Sequence, residues 1–144
     1  MTPDTGHEGG KIVPRTYRGS CHCGRVTFEL QGEIKHVIDC NCSICRRKGA
    51  LWHGAPDSSL RILGGESDLA LYQFKTMTAK HYFCRHCGIH PFTRPRLDPS
   101  LWVVNVRCLD DIDLKSLAVH NFDGEHWEEA AKAFYAQQRK PPAA

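Results

Sequence analysis

The sequence predicts a mainly β domain of antiparallel strands closed by one C-terminal helix, and three observations carry that reading. Val26, Phe28 and Leu30 alternate with Arg25, Thr27 and Glu29, the period-two pattern of a half-buried strand. Trp102–Val106 joins two adjacent valines to a tryptophan, a second strand signal. Helical periodicity occurs only near the end, where Trp127, Ala130, Ala131 and Phe134 recur at i, i+3, i+4 and i+7.

Along the chain, residues 1–14 are polar and contain Gly and Pro, with no apolar stretch after a basic patch. They predict a flexible arm rather than a secretory signal. From Tyr17 the pattern turns to β, and short apolar runs follow the first clear strand at Val37-Ile38, Leu60–Leu63 and Leu69–Phe74. Gly64 and Gly65 separate the last two runs and predict a hairpin. Asp123 is placed to cap the C-terminal helix, and Pro141-Pro142 close it. Trp102, Trp127 and Phe134 are assigned to the core. No internal repeat or linker divides the chain, so 15–138 reads as one domain and 139–144 as a tail.

The composition sets bounds on function. A chain of 144 residues, 41% hydrophobic and 24% charged, can bury one core. A net charge of +3 is mild and makes no case for nucleic acid. No apolar run approaches the roughly 20 residues that span a bilayer. These features place the chain in the cytoplasm, with no membrane partner and with a homo-oligomer left open.

Eight cysteines then need an explanation. The cytosol keeps thiols reduced, which disfavours disulfides. Seven of the eight fall into three clusters: Cys21 with Cys23; Cys40, Cys42 and Cys45; Cys84 with Cys87. Neighbours this close bridge poorly to one another but converge well on a metal. Cys84-Arg-His-Cys87 has the spacing of a zinc knuckle, and Gly88 permits the left-handed backbone such turns use. Cys21 and Cys23 would point to one face of an extended segment. If these two pairs close one site, the triplet is a ligand short. Three protein ligands with an open fourth position are the catalytic zinc pattern. Cys108, His22, His53 or His90 could instead complete a second closed site.

The same residues carry a resemblance. Gly19–Gly24 (GSCHCG), Cys40–Cys45 (CNCSIC) and Phe83–Gly88 (FCRHCG) resemble three cysteine signatures of the glutathione-dependent formaldehyde-activating enzyme family. Asn105–Asp110 and Asn121–Trp127 resemble its centromere protein V branch, and together the stretches run from about Thr16 to Phe134. The resemblance implies compact antiparallel sheets pinned by zinc, with two zinc ions per chain. It assigns Cys21, Cys23, Cys84 and Cys87 to a structural zinc, and Cys40, Cys42 and Cys45 to a catalytic one. The implied activity is a carbon–sulfur lyase that joins or releases a small thiol and an aldehyde, as glutathione and formaldehyde give S-hydroxymethylglutathione. The namesake enzymes are longer, and their glutathione-contacting residues find no match in this chain. The centromere protein V branch implies instead a non-catalytic, zinc-stabilised interaction module.

Several residues near these clusters admit two readings. Arg46, Arg47 and Lys48 follow the triplet and suit an anion clamp for the carboxylates of the thiol substrate, or a solvated basic turn. His53 and His90 are candidates for acid or base beside the open metal position. Cys108 reads as a small buried hydrophobe.

Overall fold

A computed structural model describes residues 15–139. The arm at 1–14 and Pro141-Pro142 lie outside the described residues. Ten strands form two sheets. In the smaller, β1 (Thr16–Ser20), β2 (Thr27–Gln31) and β5 (Leu60–Gly64) lie in the order β1-β2-β5. The larger sheet uses β3 (His36–Cys40), β4 (Trp52–Ala55), β6 (Leu69–Tyr72), β7 (Lys80–Cys84), β8 (Phe92–Arg94), β9 (Trp102–Asn105) and β10 (Ala118–Phe122). Its order is β10-β3-β4-β9-β8-β7-β6. Two helices complete the described chain, the four-residue α1 (Cys45–Lys48) and α2 (Trp127–Arg139). Among the described residues no helix is long and apolar enough to cross a membrane.

The alternation around β2 produces what the sequence implies. Val26, Phe28 and Leu30 are fully buried and supply one wall of the core. Phe92, Trp102 and Val104 supply the other wall from the large sheet. Phe28 meets Phe92 edge-on at 5.4 Å between ring centroids, so one aromatic contact couples the two sheets. Each such buried side chain contributes about 1.5–3 kcal/mol of transfer free energy.

The mainly antiparallel expectation holds, with one parallel pair, β10 beside β3, from Ala118↔His36 to Phe122↔Cys40. Three expectations need correction. Gly64 and Gly65 do not close a hairpin: β5 pairs with β2, and β6 pairs with β7 in the other sheet. Gly65 instead takes φ +80° where a Cβ would run into the backbone of Arg25, so the chain crosses between sheets at a point no side chain could occupy. Trp127 and Phe134 are half-buried and lie outside the core. Helix α2 packs on the margin, where Phe134 meets Phe122 of β10 edge-on at 6.4 Å and Arg96 stacks over Trp127 at 3.8 Å. An amphipathic stripe reports a covered face, and here the cover is a sheet edge. Finally, Asp123 precedes the helical segment without a side-chain capping bond. Its carboxylate accepts from Asn41 Nδ2 at 3.0 Å and pairs with His126 Nδ1 at 2.9 Å.

Candidate functional site

The seven clustered cysteines gather into two groups of sulfurs. Cys21, Cys23, Cys84 and Cys87 bring their ligand atoms within 4.8 Å of one another, and so do Cys40, Cys42 and Cys45. In the first group Cys21 Sγ stands 3.6 Å from Cys23 Sγ, and Cys23 Sγ stands 3.7 Å from Cys84 Sγ. A tetrahedral ion with metal–sulfur bonds of about 2.3 Å needs sulfurs about 3.8 Å apart, so the donor set fits a metal ion.

The four-sulfur group forms where the β1–β2 turn meets the end of β7. Cys21 and Cys23 sit in a turn closed by Gly24 N–H donating to Cys21 O at 3.3 Å, so the extended backbone expected for this pair is absent. The knuckle is as expected: Gly88 N–H donates to Cys84 O at 2.8 Å, and Gly88 holds φ +79°. Backbone N–H groups of Val26 and His86 donate to Cys21 Sγ and Cys84 Sγ, each at 3.4 Å. Burial pushes Cys84 up to about 11. At Cys87 burial also opposes ionisation, yet the N–H of Ile89 and neighbouring donors carry it down to about 6. The N–H and guanidinium of Arg25 lower Cys23.

The three-sulfur group sits at the end of β3. Strands β3 and β4 share a single paired position, Ile38↔Trp52, so they part early and leave the segment between them to turn through Cys42 into α1. All three cysteines are half-buried. Cys42 is held lowest, because its sulfur accepts from Cys40 and Cys45 and from backbone N–H groups. Cys45 is driven up by the same two neighbours. Gly124 forms the wall of this group: a Cβ there would stand 2.5 Å from Cys40 Sγ and 2.8 Å from Cys42 Cβ. Asn41 fixes that wall, since its Oδ1 accepts from Glu125 N–H at 2.9 Å while its Nδ2 donates to Asp123. Read from sequence, Asn121–Trp127 carries a resemblance, a cap at Asp123 and a helix start at Trp127, but no role for Gly124. The small residue inside Asn121–Trp127 is the signal that could have revealed the close approach.

None of the proposed fourth ligands belongs to the three-sulfur group. His22 is exposed in the β1–β2 turn. Cys108 lies half-buried against the core, where burial and the charges of Cys21 and Cys87 push it up to about 12. It is therefore a neighbour of the other group. His53 alternates out of the face that carries Trp52 and Gly54, and burial and then the charge of His36 lower it. His90 does stand in the relevant cleft.

That cleft, about 370 Å³, is lined by Ile44, Arg47, Lys48, Ile89, His90 and Asn105, together with Gly88. Of the three basic residues after the triplet, Arg47 and Lys48 line it and Arg46 does not. Arg47 is exposed and donates to Ser43 O at 2.8 Å. Lys48 crosses the outer face of the large sheet. Trp52 pairs with Asn105, and His81 pairs with Thr93, on the side opposite the Phe92–Val104 core wall. His81, Thr93 and Asn105 are the buried polar residues of the described chain, and all three lie on this face. Lys48 Nζ stands 3.0 Å from His81 Nδ1 and donates to Thr93 Oγ1 at 3.1 Å, over the Trp52 ring at 4.8 Å. Burial lowers Lys48 to about 8. Burial and then the charge of Lys48 lower His81 and His90 to about 4 each. His90 Nδ1 is buried without a hydrogen-bond partner.

The chain is similar to several known proteins. A family model described as glutathione-dependent formaldehyde-activating enzyme matches residues 16–134. A Penicillium rubens protein, provisionally named as an enzyme of that kind, is 30% identical over 105 residues, covering 68% of this chain and 51% of its own. A Halomonas elongata protein with the same provisional name is 28% identical, covering 62% of this chain and 56% of its own. The chain thus spans about half the length of the curated relatives it matches. A crystal structure of a Rhodobacter sphaeroides protein superposes with a TM-score of 0.64 at 40% identity, over 72% of this chain and 99% of that one.

Proposed function

This chain belongs to the glutathione-dependent formaldehyde-activating enzyme family, and from that premise we propose that it is a zinc-dependent carbon–sulfur lyase acting between a small thiol and a small aldehyde. Glutathione and formaldehyde, giving S-hydroxymethylglutathione, are the pair named by the family. Cys21, Cys23, Cys84 and Cys87 hold a structural zinc in this reading, and Cys40, Cys42 and Cys45 hold a catalytic one, two per chain. Zinc on three thiolates would supply the acidity that keeps a substrate thiol ionised at neutral pH.

The observation that carries the reading is a three-sulfur group without a fourth chain ligand among the described residues, whose Cys45 opens the short helix that also carries the cleft-lining Arg47 and Lys48. A purely architectural module needs neither a cleft nor buried polar residues beneath it. The chain's own groups have separable tasks. Gly124 and Asn41 hold the 122–125 segment close against the cysteines, Arg47 takes a carboxylate of the thiol at the cleft mouth, and Ile44 and Ile89 narrow the space around the reacting atoms. The partners are then the thiol and the aldehyde, and a cytoplasmic location supplies the reducing conditions that free thiolates need.

The test is to purify the protein gently, measure zinc, and follow formation of the glutathione–formaldehyde adduct. Two zincs per chain, an added sulfur ligand by X-ray absorption when glutathione is present, and a rate above buffer are expected. A single zinc with Cys40, Cys42 and Cys45 free to alkylate would remove the catalytic site. No acceleration with several small thiols and aldehydes would leave the non-catalytic module.

A further inference from the structure

We propose that Lys48 is the proton donor of the addition, its ammonium group aimed at the carbonyl oxygen of the aldehyde by His81 and Thr93. This rests on the reading of the three-sulfur group given above. A carbonyl carbon that accepts a thiolate leaves negative charge on its oxygen, and that charge needs a donor already in place. Asn105 gives one Nδ2 proton to His90 O at 3.1 Å and its Oδ1 accepts from Arg107 N–H at 3.2 Å, and its neutral amide can hydrogen-bond but has no acidic proton to transfer. Arg47 is exposed and tied to Ser43. Lys48 has what these lack.

An ammonium group carries three N–H bonds. One meets His81 Nδ1 at 3.0 Å and one meets Thr93 Oγ1 at 3.1 Å. Among the described residues no nitrogen or oxygen acceptor takes the third, and Lys48 lines the cleft beside the Trp52 ring. The two acceptors are themselves fixed. His81 and Thr93 are buried cross-strand partners, and the Phe74 ring stacks on His81 at 5.6 Å between centroids and 24° between planes. For His81 to accept at Nδ1, its own proton sits on Nε2. Among the described residues no carboxylate acts on Lys48 Nζ; the anionic groups acting on it are Cys45 and Cys42. A half-buried cation with no carboxylate is costly to keep, and stability alone does not ask for one here. A donor facing a charge that appears during reaction does.

The step balances as follows. A lone pair of the substrate thiolate forms the carbon–sulfur bond while the carbonyl π pair moves onto oxygen. One Lys48 N–H proton passes to that oxygen, and the neutral amine recovers a proton from solvent, which received the thiol proton earlier. The sum is thiol plus aldehyde giving the hydroxyalkyl thioether, with no change of oxidation state. Release runs the same path backwards, with Lys48 taking the proton.

Lys48→Met keeps the long apolar stem over Trp52 and removes the donor. Zinc content, melting temperature and glutathione affinity measured without aldehyde should stay at parent values, within about threefold for the affinity, while kcat falls about 10²–10³-fold. Thr93→Val keeps the shape and removes one acceptor. It should lower kcat about tenfold at unchanged KM and shift the ¹⁵N–¹H resonance of Lys48 Nζ in substrate-free protein. An active parent with an equally active Lys48→Met overturns the assignment and leaves the lyase reading intact. A parent inactive with every thiol and aldehyde removes both. If Lys48→Met fails to fold, Thr93→Val decides: unchanged kcat or an unmoved Nζ resonance overturns the proposal.

Discussion

The two sulfur groups are built from the same atoms and differ in how the chain delivers them. Cys23 and Cys84 touch at 3.7 Å across 61 residues, one from the turn of the small sheet and one from a strand end of the large sheet. Cys40, Cys42 and Cys45 come from six consecutive residues at one end of one strand. In the first group Cys21 and Cys84 are buried; in the second every cysteine is half-buried. A metal held by the first group ties two sheets together and removes a large share of the unfolded chain's freedom. A metal held by the second closes a loop that is already short. Ligand chemistry makes both sites possible, and chain separation decides which of them the fold depends on.

The largest expected effect therefore falls on the distant pair. Cys87→Ser should abolish cooperative thermal melting and leave insoluble protein. Apparent zinc-binding free energies of about 10 kcal/mol in small zinc domains match the roughly 5–15 kcal/mol that holds a domain folded. Cys42→Ser should leave melting near the parent value with one zinc remaining, while thiol binding and turnover disappear. If calorimetry shows Cys42→Ser collapsing as Cys87→Ser does, the contrast between the groups is wrong.

A subtler break is Gly124→Ala, which drives a methyl group against Cys40 and Cys42. We expect a loss of about 1–3 kcal/mol from overpacking, with faster chelator stripping of one metal and no change at the other. Identical stripping of both metals from variant and parent would show that Gly124 is no wall.

The smallest effect concerns the exposed pair beside that wall. His126 holds the Asp123 carboxyl below its ordinary value, and Asp123 holds His126 above its own. The Asp123 contribution is present above the ordinary carboxylate range and is lost as pH falls through the depressed value. The His126 contribution is present below the ordinary imidazole range and is lost as pH rises through the raised value. Both are in force between about pH 4 and 6.5. Asp123→Asn should return His126 to the ordinary range in an NMR titration, and an unmoved titration would mean the pair does not form.

How much of this could be read beforehand follows from the same contrast. The cysteine groups were legible because their members sit two or three residues apart, and local spacing survives any topology. The strand at Val26–Leu30 and the helix from Trp127 were legible from periodicity alone. The hairpin at Gly64-Gly65 misled because a glycine pair marks a turn without saying which strands flank it in a sheet. Trp127 and Phe134 misled because periodicity gives a covered face and not the depth of the cover. The Lys48 surroundings were hidden for a further reason. Trp52, His81, Thr93 and Asn105 belong to four different strands, and only the order β4-β9-β8-β7 sets them on one face.

The parallel strand β10 has a consequence for the order in which the protein comes off the ribosome. Synthesis runs from the N-terminus, and the four-sulfur group has all its ligands once Cys87 is made. The three-sulfur group has its own sulfurs earlier still, at Cys45. Yet its wall, Gly124, and the Asn41 partners at Asp123 and Glu125 arrive about eighty residues later, on the far side of the β3–β10 pairing. A nascent chain therefore passes through a period in which the sheet-joining site can already load metal while Cys40, Cys42 and Cys45 stand unsheltered. This later-made segment completes the three-sulfur group, so a chain cut short before β10 would carry its thiols without their shelter.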